Sequence, residues 1–389
     1  MVLMRQTVDA VVIGAGVVGA ACAYYATRAG LAVAVVDRGS PAGGTTGAGE
    51  GNLLVSDKPP GPELDLAQLS ASLWRDLAAQ LPEGIEYEAK GGVVVAADDT
   101  EWSALRRMAA GQAAAGVVAR EVPADQLPDL EPHLAPGLAG AVHYPQDAQV
   151  QPALAASRLL RAAQSAGATL HLREAVTEVL VTPAGRIDGV RTPHRELKAP
   201  VVVNAAGTWS AQIAALAGTT LPVMPRKGFV LVTEPLPRVV RHKVYAAAYV
   251  ADVASDSASL QTSPVVEGTP AGPVLIGSSR ERTGFDRTLS TEALQRMADS
   301  AVTLFPVLAQ VSVLRVYHGF RPYLPDHLPA IGADPRVPGL HHACGHEGAG
   351  IGLAPATGLL LAQALTGEEP SLDLAPFRPD RFESEVQHA

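Results

Sequence analysis

Apolar residues in the first forty positions fall in two short runs with almost no polar alternation. Residues 8–13 (Val-Asp-Ala-Val-Val-Ile) and 31–36 (Leu-Ala-Val-Ala-Val-Val) predict strands buried on both faces, as in a parallel sheet. Residues 17–29 between them predict a helix whose small side chains pack close to that sheet. Helical spacing returns at 64–80, 100–115, 153–166, 291–304 and 354–366. Strands are predicted at 168–180, 186–191, 200–206, Gly228–Thr233, Lys243–Val250 and Pro273–Gly277. The pattern turns strand-like from 223 to 290, and the last 70 residues return to a strand, a glycine-rich turn at 345–352 and a helix. The chain therefore crosses between two units rather than dividing once. No repeat and no linker interrupts it.

The turn between the first strand and helix carries Gly14, Gly16 and Gly19, a G-x-G-x-x-G in register with both. The first glycine permits the tight turn, the second lets backbone approach a pyrophosphate, and the third lets helix and strand pack closely. The free N–H groups and positive end of the helix attract phosphate. Asp37 ends the second strand, 18 residues after Gly19, where its carboxylate can accept from ribose hydroxyls and opposes a 2′-phosphate. These features point to a dinucleotide other than NADP and do not by themselves separate FAD from NAD. A second glycine-rich segment, Gly43–Asn52, replaces the further βαβ units expected of a nicotinamide dehydrogenase. It can wrap a cofactor with backbone donors and hydroxyls, or be a surface loop.

Composition narrows the function. A chain of 389 residues with 47% hydrophobic and 18% charged residues can bury a large core. The net charge of −9, with no basic run, argues against nucleic-acid binding. No stretch reaches the roughly 20 uninterrupted apolar residues of a membrane span, and the N-terminal apolar run is read as a strand rather than a signal peptide. Two cysteines, Cys22 and Cys344, make no disulfide framework, so a reducing, cytoplasmic setting is expected.

Five landmarks in order resemble the D-amino-acid oxidase superfamily, most closely its glycine oxidase and sarcosine oxidase branch. They are Gly14–Asp37, Gly43–Asn52, Val203-Asn204-Ala205-Ala206-Gly207-Thr208-Trp209-Ser210, Gly319-Phe320-Arg321-Pro322, and the run from Gly345 to Gly358. The resemblance implies an α/β fold. A Rossmann-type FAD-binding domain of the glutathione-reductase kind is assembled from 1–85, 146–225 and 319–389, and a substrate domain on a mixed antiparallel sheet from 86–145 and 226–318. It implies non-covalent FAD, since no cysteine stands near Tyr317–Gly319 and Cys344 is the only other candidate. Val17 and Val18 would lie along the pyrophosphate, and Asp37 and Arg38 would flank the adenosine ribose. Thr45, Thr46, Glu50, Gly51 and Asn52 would line the stretch toward the flavin. Val176, in the predicted strand Ala175–Leu180, would meet the adenine. Ala206 and Gly207 would join the cofactor wall. Gly345, His346, Glu347, Gly348, Ala349, Gly350, Ile351 and Gly352 would run past the flavin ring.

The same resemblance makes Arg321 the group that grips a substrate carboxylate, a task suited to its planar fork; the alternative is a pair with Asp326. Tyr245 and Tyr249, four apart in a predicted strand, are pocket aromatics or ordinary strand residues. Gly348 stands where the glycine oxidase pattern has a second arginine, which argues against glycine itself as substrate. Glu347 can face a cationic group of a larger substrate or be a solvated acid. The spacing of His341, His342, Cys344 and His346 fits no zinc pattern well, so no metal is expected.

The implied reaction is oxidation of the C–N bond of an amino acid or related amine by hydride transfer to flavin N5, giving an imine. The electron acceptor is oxygen or a protein or quinone. The run Gly345–Gly352 and residues 278–286 also resemble flavin subunits of heteromeric amino-acid dehydrogenases, which raises a hetero-oligomer. A 2-hydroxy-acid dehydrogenase with His346 or His318 as base and a non-catalytic FAD subunit are the alternative readings.

Overall fold

The computed structural model describes residues 4–81, 84–253, 255 and 257–382, with the backbone alone for 251–253. The two early apolar runs form adjacent parallel strands, Ala10–Ile13 and Val33–Asp37, with Val12 opposite Val35. Val201–Asn204 pairs with the first, Thr169–Leu172 with the second, and Leu340–Cys344 extends the sheet. An antiparallel strand, Ala330–Ala333, completes six strands. Every side chain of Ala10–Ile13 is buried, which is why the run shows no alternation.

The helix Val17–Arg28 buries its small residues Gly19 to Ala23 and packs against the helix Gly350–Thr366. A Cβ at Gly358 would lie 2.6 Å from the Ala21 carbonyl carbon, so this crossing requires a glycine. Pro355 lies inside the second helix and leaves the Ile351 carbonyl without its intrahelical donor. The indole of Trp74 supplies one at 3.0 Å. By length and composition this helix is apolar enough to cross a membrane, but here it is a core element.

The second large sheet has eight strands, running Val313–Tyr323, Met224–Pro235, Pro273–Arg280, Gln261–Gly268, Lys243–Ala246, Gly92–Ala96, Gly140–Tyr144 and Arg120–Pro123. All its pairings are antiparallel except that of Lys243–Ala246 with Gly92–Ala96, so it is mixed as expected. Val93 and Val95 face the helix Thr291–Leu304, while Val94 and Ala96 face the helices Pro62–Gln80 and Asp99–Ala114.

Three expectations need correction. The predicted strand 168–180 is two strands in different sheets, Thr169–Leu172 and Glu178–Val181. Arg173, at φ 60°, breaks the run, and Val176 lies in the connection rather than in a strand. The predicted strand 243–250 stops at Ala246, and Tyr249 sits on a short helix, Ala248–Val253. The last helix begins at Gly350, not 354, because the glycine turn winds directly into it. The strands Gly92–Ala96, Arg120–Pro123 and Gly140–Tyr144 were not anticipated. An apolar run of five such as 92–96, buried on both faces, carries no period-2 signal.

Candidate active site

The carboxyl ends of the parallel strands place Gly14, Asp37 and Ala205 together, as parallel sheets do at their ligand crevice. Gly14 has φ 118°, and a Cβ there would overlap the Ala205 carbonyl. Asp37 accepts from Ala15 N at 2.7 Å and Gly39 N at 2.6 Å, tying the turn to the strand end. Thr46 accepts from Val17 N at 3.0 Å, locking the Gly43–Asn52 loop onto the helix start. The Thr45 hydroxyl donates to the Phe320 carbonyl at 2.6 Å, so the loop also reaches the second sheet.

These contacts wall a cavity of about 1030 Å³ that runs between the two sheets. Gly14, Gly16, Val17, Val18, Asp37, Arg38, Thr45, Thr46, Glu50, Gly51, Asn52, Val176, Ala206, Gly207, His346, Glu347, Gly348, Gly350 and Ile351 all line it. Gly19, Gly345, Ala349 and Gly352 do not. Gly19 packs on the Gly14 carbonyl, Gly345 faces Leu324, Ala349 joins the core, and the Gly352 carbonyl accepts from Trp74. They shape the wall from behind.

Val176, Trp209 and Arg38 line the cavity, and the Arg38 guanidinium lies 3.9 Å from the Trp209 indole centroid. Trp209 is a cofactor-side residue that the sequence displayed but gave no role. Arg321, Tyr249, Glu50 and Glu347 form a second group on the wall, near enough for their charges to act on one another, and His346 also lines the cavity. A backbone-lined channel with two helix starts, Val17 and Gly350, and an aromatic shelf fits an extended dinucleotide such as FAD.

Arg321 lies in the strand Val313–Tyr323, the outer strand of the eight-stranded sheet, opposite Arg226. Its Nη1 donates to the Ser279 carbonyl at 2.8 Å, and it pairs with no carboxylate among the described residues. Asp326, its alternative partner, binds Arg381 instead. The guanidinium lies over Gly228, where a Cβ would overlap it. Burial and the neighbouring Arg280 charge lower its hold on its proton, so an incoming anion is favoured.

The two tyrosines separate. Tyr249 lines the cavity, whereas Tyr245 packs behind it at 5.1 Å between centroids. Tyr245 donates to Ser56 at 2.6 Å, and Ser56 in turn to Asp147, so it serves the seam between the sheets.

His346 lies in the wall with Nε2 2.9 Å from the Thr357 hydroxyl. That hydroxyl donates to the Leu353 carbonyl, so Nε2 donates to it. Burial pushes the imidazole down to about 3, which makes it a poor base. His318 does not line the cavity. Glu347, at φ 46°, is held by Arg226 at 2.5 Å and His327 at 3.0 Å. Burial alone would raise it, but the His327 bond and the Arg226 charge keep it below the usual carboxylate range. Its charge is thus already answered inside the protein. His342 is bonded to Asn204 and Asp334, and among the described residues no group could hold a metal ion.

Glu50, expected beside the cofactor, lines the cavity and also faces the second sheet. Its Oε2 accepts from Asn52 at 3.2 Å and lies 3.8 Å from Lys243, while Oε1 is buried with no hydrogen-bond partner among the described residues. Sequence spacing offered no sign of this, because Lys243 is almost two hundred residues away.

The profile of the DAO family, described as FAD dependent oxidoreductase, matches residues 9–364. Hydrogen cyanide synthase subunit HcnC of Pseudomonas aeruginosa is 32% identical, covering 98% of each chain. Glycine oxidase of Geobacillus kaustophilus is 30% identical, covering 98% of this chain and 99% of its own. The crystal structure of that glycine oxidase superposes with a TM-score of 0.87 over 97% of this chain and 99% of that one.

Proposed function

The chain belongs to the DAO family of FAD-dependent oxidoreductases, and from that premise we propose that it oxidises the C–N bond of an amino acid or related primary or secondary amine. Bound FAD supplies the two-electron acceptor, held non-covalently. Burial pushes the thiol of Cys344, the one cysteine on the cavity wall, up to about 12, which keeps it protonated and unreactive.

The observation that carries the reading is the pair of opposite charges on the cavity wall. Among the described residues, Arg321 presents an unpaired guanidinium and Glu50 an unpaired carboxylate oxygen. An amino-acid zwitterion has the complementary pair on one carbon. Arg321 takes the carboxylate by its two-pronged fork, Glu50 faces the amine, and Tyr249 closes the space between them. Fixing both ends presents the α-carbon hydrogen in one orientation, which is the larger part of what the protein must contribute. The neutral, occupied His346 offers no strong base, which disfavours the 2-hydroxy-acid alternative.

The likeness to a hydrogen cyanide synthase subunit supports a second reading, in which the chain passes electrons to a partner subunit rather than to oxygen. A reducing, cytoplasmic setting belongs to the proposal and is supported by two buried, unpaired cysteines. FAD-loaded protein with glycine, sarcosine, L-proline or iminodiacetate and a dye acceptor is expected to form an imine, read as the cyclic imine from L-proline and as the released carbonyl product from the others. Absence of product with every amine would overturn the reading. Oxygen uptake without dye separates oxidase from dehydrogenase.

A further inference from the structure

Glu50 is the first member of a line of alternating charges that leaves the cavity along one face of the eight-stranded sheet. Lys243 lies 3.8 Å from Glu50 and 2.6 Å from Glu267, its partner across the strand pairing. Glu267 is fully buried and interacts with Lys90, which precedes the next strand. Lys90 lies 3.4 Å from Glu88, and Glu88 lies 3.1 Å from Arg238. Glu88, Lys90 and Arg238 line a separate cleft of about 290 Å³. Side-chain exposure rises from 2% at Lys243 and 0% at Glu267 to 26% at Glu88 and 63% at Arg238, so the line opens to solvent at its far end.

Burying such charges is costly, and an apolar substitute for a buried ion pair is often as stable. The neighbouring Val244 and Val266 show that these strands accept apolar residues. Stability alone therefore does not account for the line.

The proposed reaction supplies a reason. An amino acid arrives as an ammonium ion, which must lose a proton before its α-hydrogen can leave as hydride. We infer that Glu50 accepts that proton and that Lys243, Glu267, Lys90 and Glu88 convey it to the peripheral cleft. The inference rests on the amine-oxidation reading above. The substrate N–H bond breaks and an O–H bond forms on Glu50. Lys243 passes an Nζ proton to Glu267 and is refilled from Glu50, across a gap that a small side-chain shift or one water closes. Glu267 hands its proton to Lys90, and Lys90 to Glu88 and solvent. One proton moves from substrate to water, and no electron moves along the line.

The environment suits each transfer. Burial raises the proton affinity of Glu267, and burial lowers that of Lys90. Burial would lower Lys243 too, but Glu267 and Glu50 hold it charged. The charged and titratable groups facing Glu50 are Lys243, Glu267, Tyr249, Tyr317 and Arg321. Both tyrosines are raised by burial, which leaves Glu50 as the acceptor among them.

The test is anaerobic flavin reduction by sarcosine in FAD-loaded wild type, Glu50→Gln, Glu267→Gln and Lys90→Met from pH 6 to 10, with a pH-indicator dye reporting proton release. Glu50→Gln is expected to slow reduction about 100-fold at pH 7 and recover about tenfold per pH unit, as solution provides neutral amine. Glu267→Gln and Lys90→Met are expected to lose about tenfold at pH 7, with the same recovery and delayed dye response. Should Glu267→Gln fail to fold, the double variant Lys243→Met, Glu267→Leu replaces the pair with apolar side chains and should show the same profile. Wild-type rates and dye traces in the Glu267 and Lys90 variants would overturn the relay while leaving amine oxidation intact. Loss in Glu50→Gln without recovery at high pH would overturn the proton-acceptor role. Failure of glycine, sarcosine, L-proline and iminodiacetate alike to reduce the wild-type flavin would remove the reading beneath it.

Discussion

The two large sheets meet at one cavity and face it with different chemistry. The six-stranded, mostly parallel sheet offers backbone: strand ends, glycine turns, helix starts and a few hydroxyls. Its buried side chains are overwhelmingly aliphatic. The eight-stranded sheet offers charge, and Arg226, Lys227 and Lys243 are among the largest fully buried side chains of the protein. A dinucleotide with a fixed shape and two phosphates is well served by backbone donors, which cannot move and need no desolvated charge. A small zwitterion is distinguished by charge at each end, and only side chains supply that. The division of labour predicts that the first side fails when its backbone is disturbed and the second when a charge is removed.

The largest effect is expected on the cofactor side. Gly14→Val forces a Cβ into the Ala205 carbonyl at a φ that L residues avoid. A cost of about 3 kcal/mol or more should weaken FAD binding at least ~100-fold by fluorescence titration. Normal FAD affinity in this variant would break the comparison at its root.

Next comes Arg321→Met, which should lower kcat/KM with an amino acid by about 3 kcal/mol, roughly a hundredfold, and leave FAD affinity unchanged. If the variant loses FAD instead, the charge belongs to the cofactor side and the division is drawn in the wrong place.

A smaller effect marks the seam between the sheets. Asp147 accepts from Ser56 and from Val55 N at 2.8 Å, and burial raises its carboxyl to about 7. The folded state therefore holds that proton more tightly than the unfolded chain. This stabilisation is whole below about pH 4 and is lost as pH rises through about 7. Thermal unfolding against pH should show a loss over that window in wild type that is missing in Asp147→Asn. Parallel curves would place the proton elsewhere.

The smallest effect is a control. Asp98 caps the helix Asp99–Ala114 by accepting from Glu101 N at 2.8 Å and lines neither the cavity nor the peripheral cleft. Asp98→Ala should cost about 1 kcal/mol, lower Tm by a few degrees, and alter neither FAD affinity nor turnover.

The same contrast explains what was legible in the sequence. Gly14 to Asp37 is a local motif in which glycine, helix and acid fall at fixed spacings, and the structure assembles it as read. Arg321 was found from its neighbours in Gly-Phe-Arg-Pro. The surroundings of Glu50 are not legible in the sequence, because they come from Lys243, Glu267 and Tyr317 on three strands, and sequence spacing does not report register between distant strands. Tyr249 lies in an alanine-rich stretch with no clear period, where the sequence pattern predicts a strand and tertiary packing yields a helix. Glu347 was recognised as part of the turn, but its partners Arg226 and His327 lie on other elements.

The central claim is that the FAD-loaded chain takes hydride from a carbon bearing nitrogen. Its most direct test is the visible absorption of the flavin under anaerobic addition of matched pairs: glycine with glycolate, and alanine with lactate, alongside sarcosine, L-proline and iminodiacetate. The account predicts that at least one amine bleaches the flavin while the hydroxy acids leave it oxidised. Bleaching by a hydroxy acid with every amine inert would contradict it.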